Sequence, residues 1–166
     1  CPFCRTPTPE SEEMIELTKK RVEAGDVIAM NSLGGYFAQG EYGYPQDYDK
    51  ALELWHRAGE LGYADAHYNI ACAYNNGLGV EIDEQRVEHY CELAAIGGHS
   101  VARHKLGYIE VRKGNMDRAI KHLMIAVNSG DAESLKNMQQ LCSNGHVIKD
   151  DYAKGLRAYQ AYLNEV

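Results

Sequence analysis

The sequence predicts an all-α solenoid of about four helix-turn-helix repeats, and three observations predict it. The same order of residue types returns along the chain at an offset of about 36 residues, a period in the range of helical solenoids. Apolar residues fall at helical spacing, with no sustained alternation of period two. Glycines at 25, 62, 98 and 130 stand just after a periodic segment, where a left-handed residue closes a helix without a steric penalty.

In chain order, a Pro-rich entry at Pro7 and Pro9 leads into a half-repeat, residues 10–25. It aligns with the second half of a repeat, because Gly25-Asp26-Val27-Ile28-Ala29 matches Gly62-Tyr63-Ala64-Asp65-Ala66. The first full repeat, about 26–62, runs through Ala29, Leu33-Gly34, Phe37 and Gly40, then Lys50-Ala51, Trp55, Ala58 and Gly62. The second, about 63–98, repeats this order as Ala66, Ile70-Ala71, Tyr74, Gly77, Val87, Cys91, Ala94-Ala95 and Gly98. The third, about 99–130, passes through Ala102, Leu106-Gly107, Glu110, Ala119, Leu123 and Ala126, with its loop shortened to Gly114-Asn115-Met116-Asp117. The fourth, about 131–166, keeps Ser134, Met138, Cys142, Gly145, Tyr152, Gly155, Tyr159 and Tyr162 and is the most degenerate, as a capping unit is. Residues 10–166 therefore read as one repeat domain.

The small residues carry the packing expectation. Gly34, Ala58, Ala66, Ala94, Ala95, Ala102, Gly107 and Ala126 recur where helix axes approach closely. Leu33, Phe37, Trp55, Tyr74, Leu106 and Leu123 supply the bulk that interlocks with them. The tyrosines of the last helix, 152, 159 and 162, form the one aromatic cluster expected to stay partly exposed.

Composition excludes some functions. A formal net charge of −7 with acidic groups spread along the chain repels a phosphate backbone, so nucleic acid is not an expected partner. No apolar run approaches the roughly 20 residues needed to cross a bilayer, and no membrane partner is expected. Five cysteines, an odd set, with 72, 91 and 142 at unrelated points of the repeat, give no disulfide framework and suit a reducing, intracellular and cytoplasmic setting.

Leu33-Gly34, the Gly40 loop, Pro45-Gln46-Asp47-Tyr48, Lys50-Ala51, Trp55, Ala58 and Gly62 resemble a Sel-one-like repeat, a relative of the tetratricopeptide repeat. Gly77-x-Gly79-Val80-x-x-Asp83 is similar to the family's inter-helix loop. The resemblance implies a right-handed α-α superhelix that holds other proteins together, often as an adaptor in signalling or protein quality control. The third repeat departs from the pattern with the short loop of a tetratricopeptide repeat.

Cys1-Pro2-Phe3-Cys4-Arg5 resembles the closing Cys-Pro-x-Cys of a RING finger. Such a finger needs eight ligands for two zinc ions, so Cys1 and Cys4 serve as metal ligands only within a complete finger, and no cofactor is expected in this segment itself. On this resemblance residues 1–9 are the remnant of an upstream RING-type domain and linker. The alternative function it implies is the substrate-recognition part of a RING-type ubiquitin ligase, with zinc bound upstream.

The main functional expectation is a protein-interaction scaffold. In stacked hairpins the first helix of each repeat lines the concave face, and positions not used in packing point into the groove. Those positions are Asn31 and Gly35, then Tyr68, Cys72 and Asn75, then His104, Tyr108 and Arg112, then Lys136, Gln140 and Ser143. The expected partner-binding set is Asn31, Tyr68, Asn75, His104, Tyr108, Arg112, Lys136 and Gln140. His104, Arg112 and Lys136 make its C-terminal half basic, which suits a peptide or protein carrying an acidic group. No catalytic residue is assigned: Gly-x-Ser-x-Gly and Walker loops are missing, and Gly77-x-Gly79 follows a helix rather than a strand.

Overall fold

The computed structural model describes residues 9–145 and 149–165. Among these residues helix is the only regular structure: α1 (Pro9–Glu23), α2 (Val27–Gln39), α3 (Tyr48–Glu60), α4 (Ala64–Asn76), α5 (Glu84–Ile96), α6 (Ser100–Arg112), α7 (Met116–Asn128), α8 (Ala132–Ser143) and α9 (Lys149–Glu165). The pairs α2–α3, α4–α5, α6–α7 and α8–α9 are helical hairpins, and α1 precedes the first of them. Two compact units divide between Gly97 and Gly98.

Local sequence sets the ends of the helices. Asp26, Asp47, Asp83 and Asp131 stand at the N-caps of α2, α3, α5 and α8, and each carboxylate accepts from amides of the first turn that have no partner within the helix. Asp26 accepts from Ile28 and Ala29 at 2.9 and 3.1 Å. In α6 the same role falls to His99, whose Nδ1 accepts from the Ala102 amide at 3.1 Å. The glycines expected to close helices adopt φ values of +83 (Gly25), +87 (Gly62), +90 (Gly98) and +85 (Gly130), a region that L side chains rarely enter. In the longer loop after α2, Tyr42 itself takes φ 53, with its ring 4.5 Å from that of Tyr36.

In the N-terminal unit, Ala51, Ala58, Ala66, Ile70, Ala73 and Ala94 are sealed from solvent, and Leu33, Trp55 and Tyr74 fill the space between helices. Gly34 shows why the joint requires a small residue. A Cβ built there would lie 2.5 Å from Nε1 and 2.8 Å from Cδ1 of Trp55. The absent side chain lets the indole reach across and donate to the Asn31 carbonyl at 3.2 Å. Phe37 differs from expectation: it is half-buried, with Tyr44 of the following loop 4.6 Å away and the Lys50 ammonium 5.3 Å over its ring.

In the C-terminal unit, Leu123, Val127, Met138 and Leu141 form the core. Gly107 plays the part of Gly34, since a Cβ there would meet Leu123 Cδ2 at 2.9 Å. Glu110 occupies the position held by Phe37 and Tyr74 in the preceding repeats and is only 2% exposed. Its carboxylate accepts from Asn115 Nδ2 at 2.7 Å and pairs with Arg118 at 3.3 Å, while its carbonyl accepts from the Asn115 amide at 2.9 Å. A buried acid thus pins the short connection between α6 and α7, where the longer loop of the first repeat packs Tyr44 on Phe37. On α9, Tyr152 and Tyr159 pack against the core and Tyr162 stands over Gly130, all half-buried; the large apolar side chains exposed on the described part of that helix are Leu156 and Leu163.

Candidate functional site

The candidate partner-binding positions lie on the first helices of the hairpins, and each unit presents its own set. In the N-terminal unit, α2 carries Asn31 and α4 carries Tyr68, Cys72 and Asn75. Asn31 is half-buried and tied down: its side-chain oxygen accepts from Asn69 Nδ2 at 2.8 Å, linking α2 to α4. Tyr68 is half-buried, and its phenol is pushed up to about 12, first by burial and then by the neighbouring Cys72 thiol, with which it hydrogen-bonds. Asn75 is exposed and donates to the side chain of Asn76 at 3.0 Å.

In the C-terminal unit, α6 carries His104, Tyr108 and Arg112, and α8 carries Lys136 and Gln140. His104 is half-buried, and its Nε2 meets Asn137 Nδ2 at 2.6 Å. Tyr108 is 50% exposed, and Arg112, Lys136 and Gln140 are exposed as well. Lys136 pairs with Glu133 at 3.2 Å, a solvent-facing contact of the kind that contributes little.

Asn69 and Asn137 are the residues that sequence reasoning missed. Asn31 with Asn69, and His104 with Asn137, are the same pair in the repeat register: one groove position joined to the next-numbered position of the following first helix. A recurrence of polar residues one step after the groove position was the available signal. The consequence is a division of labour. Asn31 and His104 orient neighbouring helices, whereas Asn75, Tyr108, Arg112, Lys136 and Gln140 remain open to solvent.

Cys1 and Cys4 lie outside the described residues. Among the described residues no group of three His, Cys, Asp or Glu side chains is placed to hold a metal ion, and none of Cys72, Cys91 and Cys142 is in a disulfide. No helix of the described residues is long and apolar enough to cross a membrane.

Helical hairpins joined through small residues, with polar side chains left on their first helices, define a helical-repeat protein. The Sel1 repeat family model matches residues 27–63 and 64–99. The chain is similar to chitin synthase regulatory factor 4 of Schizosaccharomyces pombe, 26% identical over 118 residues, which is 70% of this chain and 19% of that protein. It thus spans about a fifth of the length of this curated relative. Among solved structures it resembles a Sel1 repeat protein from Oxalobacter formigenes, with a TM-score of 0.80 and 24% identity, over 93% of this chain and 64% of that one. It also resembles a protective antigen of uropathogenic Escherichia coli strains that displays an SLR fold, with a TM-score of 0.76 and 26% identity, over 91% and 33% of the two chains. Sel1-repeat proteins generally mediate protein–protein interaction, and the fold is typically a non-enzymatic scaffold.

Proposed function

We propose that this chain is an interaction scaffold that holds a peptide or protein partner along the first-helix faces of its repeats, with an acidic group of the partner seated near Arg112 and Lys136. The observation that carries this reading is the exposed set Tyr108, Arg112, Lys136 and Gln140 on α6 and α8, locally basic in a protein of formal net charge −7. Arginine and lysine beside a glutamine offer charge-assisted hydrogen bonds to a carboxylate, and a half-exposed tyrosine ring offers flat apolar area. The Glu133 partner of Lys136 is no obstacle, because an exposed ion pair exchanges easily for another. In the N-terminal unit, taken by itself, Tyr68 and Asn75 are the candidate contacts. The three thiols at unrelated repeat positions support an intracellular setting.

Affinity capture with the parent chain, against a variant with His104, Arg112 and Lys136 replaced by alanine, tests this. Partners lost only from the variant support the reading, and identical recovery by two equally folded proteins refutes it.

A second reading rests on Cys1-Pro2-Phe3-Cys4-Arg5, which resembles the end of a RING finger. In it the repeats select a substrate for a ubiquitin ligase whose zinc ions are held upstream, with Cys1 and Cys4 as ligands. Ubiquitin transfer by the full-length protein tests it, and an upstream sequence without six further Cys or His ligands in RING order overturns it.

A further inference from the structure

Three of the chain's seven histidines meet around one tyrosine in the N-terminal unit, each near a different part of its ring. Tyr90 of α5 takes His56 of α3 edge-on at 5.7 Å between ring centroids, His89 of α5 edge-on at 5.2 Å, and His67 of α4 stacked at 6.2 Å. Tyr74 of α4 stacks on the same ring at 5.8 Å with the planes 4° apart. The rings thus lie where α5 meets α3 and α4, beside the buried Val87, Cys91, Ala94 and Ala95 of α5.

The charge bordering this cluster is an ion pair. Arg86 of α5 donates to the Tyr74 hydroxyl at 2.6 Å, with its guanidinium 5.0 Å over the Tyr74 ring. Its own counter-charge is Asp83, at 3.5 Å. Towards His67, α3 presents the imidazole of His56 and the backbone of Gly59, and α5 presents the imidazole of His89 and the ring of Tyr90. Among the described residues no carboxylate forms an ion pair with His56, His67 or His89.

His67 is the member with least room for a proton. Its ring lies flat on Gly59, where a Cβ would stand 2.7 Å from Cε1 and 2.8 Å from Nδ1, and Nδ1 is shut off from water. Burial, more than the neighbouring imidazoles of His56 and His89, holds its pKa below the ordinary 6.5, against a smaller opposing effect of the Gly59 backbone. An imidazolium formed there is both poorly hydrated and, once His56 or His89 is charged, repelled.

We propose that His67, set between Gly59 of α3 and the Tyr90 ring of α5, is an acid-sensitive clasp, which holds α5 in place while its imidazole is neutral and loosens α5 as it takes up a proton. The direction follows from linkage. A group that binds protons less readily in the closed form leaves that form at full strength above its ordinary pKa and weakens it as pH falls below. Each extra proton taken up on opening multiplies the opening constant by about ten per pH unit.

Hydrogen exchange of the whole chain, resolved by helix and corrected for intrinsic rates, tests the clasp between pH 7.5 and 5.5. The expected result is a rise in the opening constant of α5 approaching tenfold, and a clearly smaller rise in His67→Gln. Should His67→Gln fail to fold, His56→Gln serves instead: it removes a like charge from beside His67, so the His67 pKa read by NMR titration moves up towards 6.5 and the pH dependence of α5 becomes shallower. Equal α5 protection at both pH values in the parent, or an undiminished fall in every folded variant, overturns the proposal.

Discussion

Two adjacent glycines in α2 should respond to the same substitution with opposite signs. Alanine exceeds glycine in a helix interior by about 1 kcal/mol. At Gly35, where an added Cβ meets nothing within 4 Å, Gly35→Ala should realise most of that gain. At Gly34 the added atom falls 2.5 Å from Nε1 of Trp55, whereas non-bonded heavy atoms rest at about 3.5–4.0 Å, so the indole must retreat by about 1 Å. Overpacking of this kind costs about 1–3 kcal/mol. The retreat also stretches the 3.2 Å bond from Trp55 to the Asn31 carbonyl, and a buried polar group left unpaired costs about 1–3 kcal/mol more. After the propensity gain, Gly34→Ala should lose about 1–5 kcal/mol. Urea unfolding followed by circular dichroism and by the fluorescence of Trp55, the chain's single tryptophan, reads both variants in the N-terminal unit. Midpoints that coincide, or a Gly34→Ala midpoint above that of the parent, would refute the small-against-large joint.

Three further outcomes are expected. Ser134 is fully buried with its hydroxyl unpartnered, at a position that the earlier repeats fill with Ala29, Ala66 and Ala102; Ser134→Ala should therefore raise stability by about 1 kcal/mol, visible as a higher melting temperature in calorimetry. Glu110→Ala should cost the C-terminal unit about 1–3 kcal/mol by releasing Asn115 and Arg118 from the short loop, while Arg118→Ala, which removes the exposed partner, should cost less than about 1 kcal/mol in the same urea titration. The Asp26 carboxyl is held below the ordinary 3.8, chiefly by the Ala29 amide and then by Arg21, so its contribution is complete above that value and lost as pH falls through the folded one. Asp26→Asn should therefore show a shallower acid-induced loss of stability than the parent in melts below about pH 4.

The parts of the fold legible from residues are those where sterics leave one solution. A glycine followed around 20 positions later by a tryptophan, repeated as Gly107 and Leu123 with a shorter span, signals a close helix crossing without knowledge of coordinates. The glycines at 25, 62, 98 and 130 are legible for the same reason, since their backbone conformation admits little else. Polar helix positions are different. Asn31 and His104 look no different in sequence from Asn75 or Gln140, yet each is tied to a neighbouring helix, because a side-chain amide is equally suited to water and to a partner. Glu110 stands in sequence where the two preceding repeats have Phe37 and Tyr74, but its burial follows from Asn115 and Arg118 approaching through a loop shorter than theirs. Tyr152 and Tyr159 likewise gain their cover from the packing of α9 against α7 and α8, which spacing along one helix does not reveal.

The most direct test of partner binding on the α6–α8 face is titration calorimetry of a captured partner against the parent and the double variant Arg112→Ala/Lys136→Ala, with circular dichroism as the check of fold. Binding weakened at least tenfold in the variant, and weakened further in the parent as salt rises, is the predicted result. Unchanged affinity in a folded variant would contradict it.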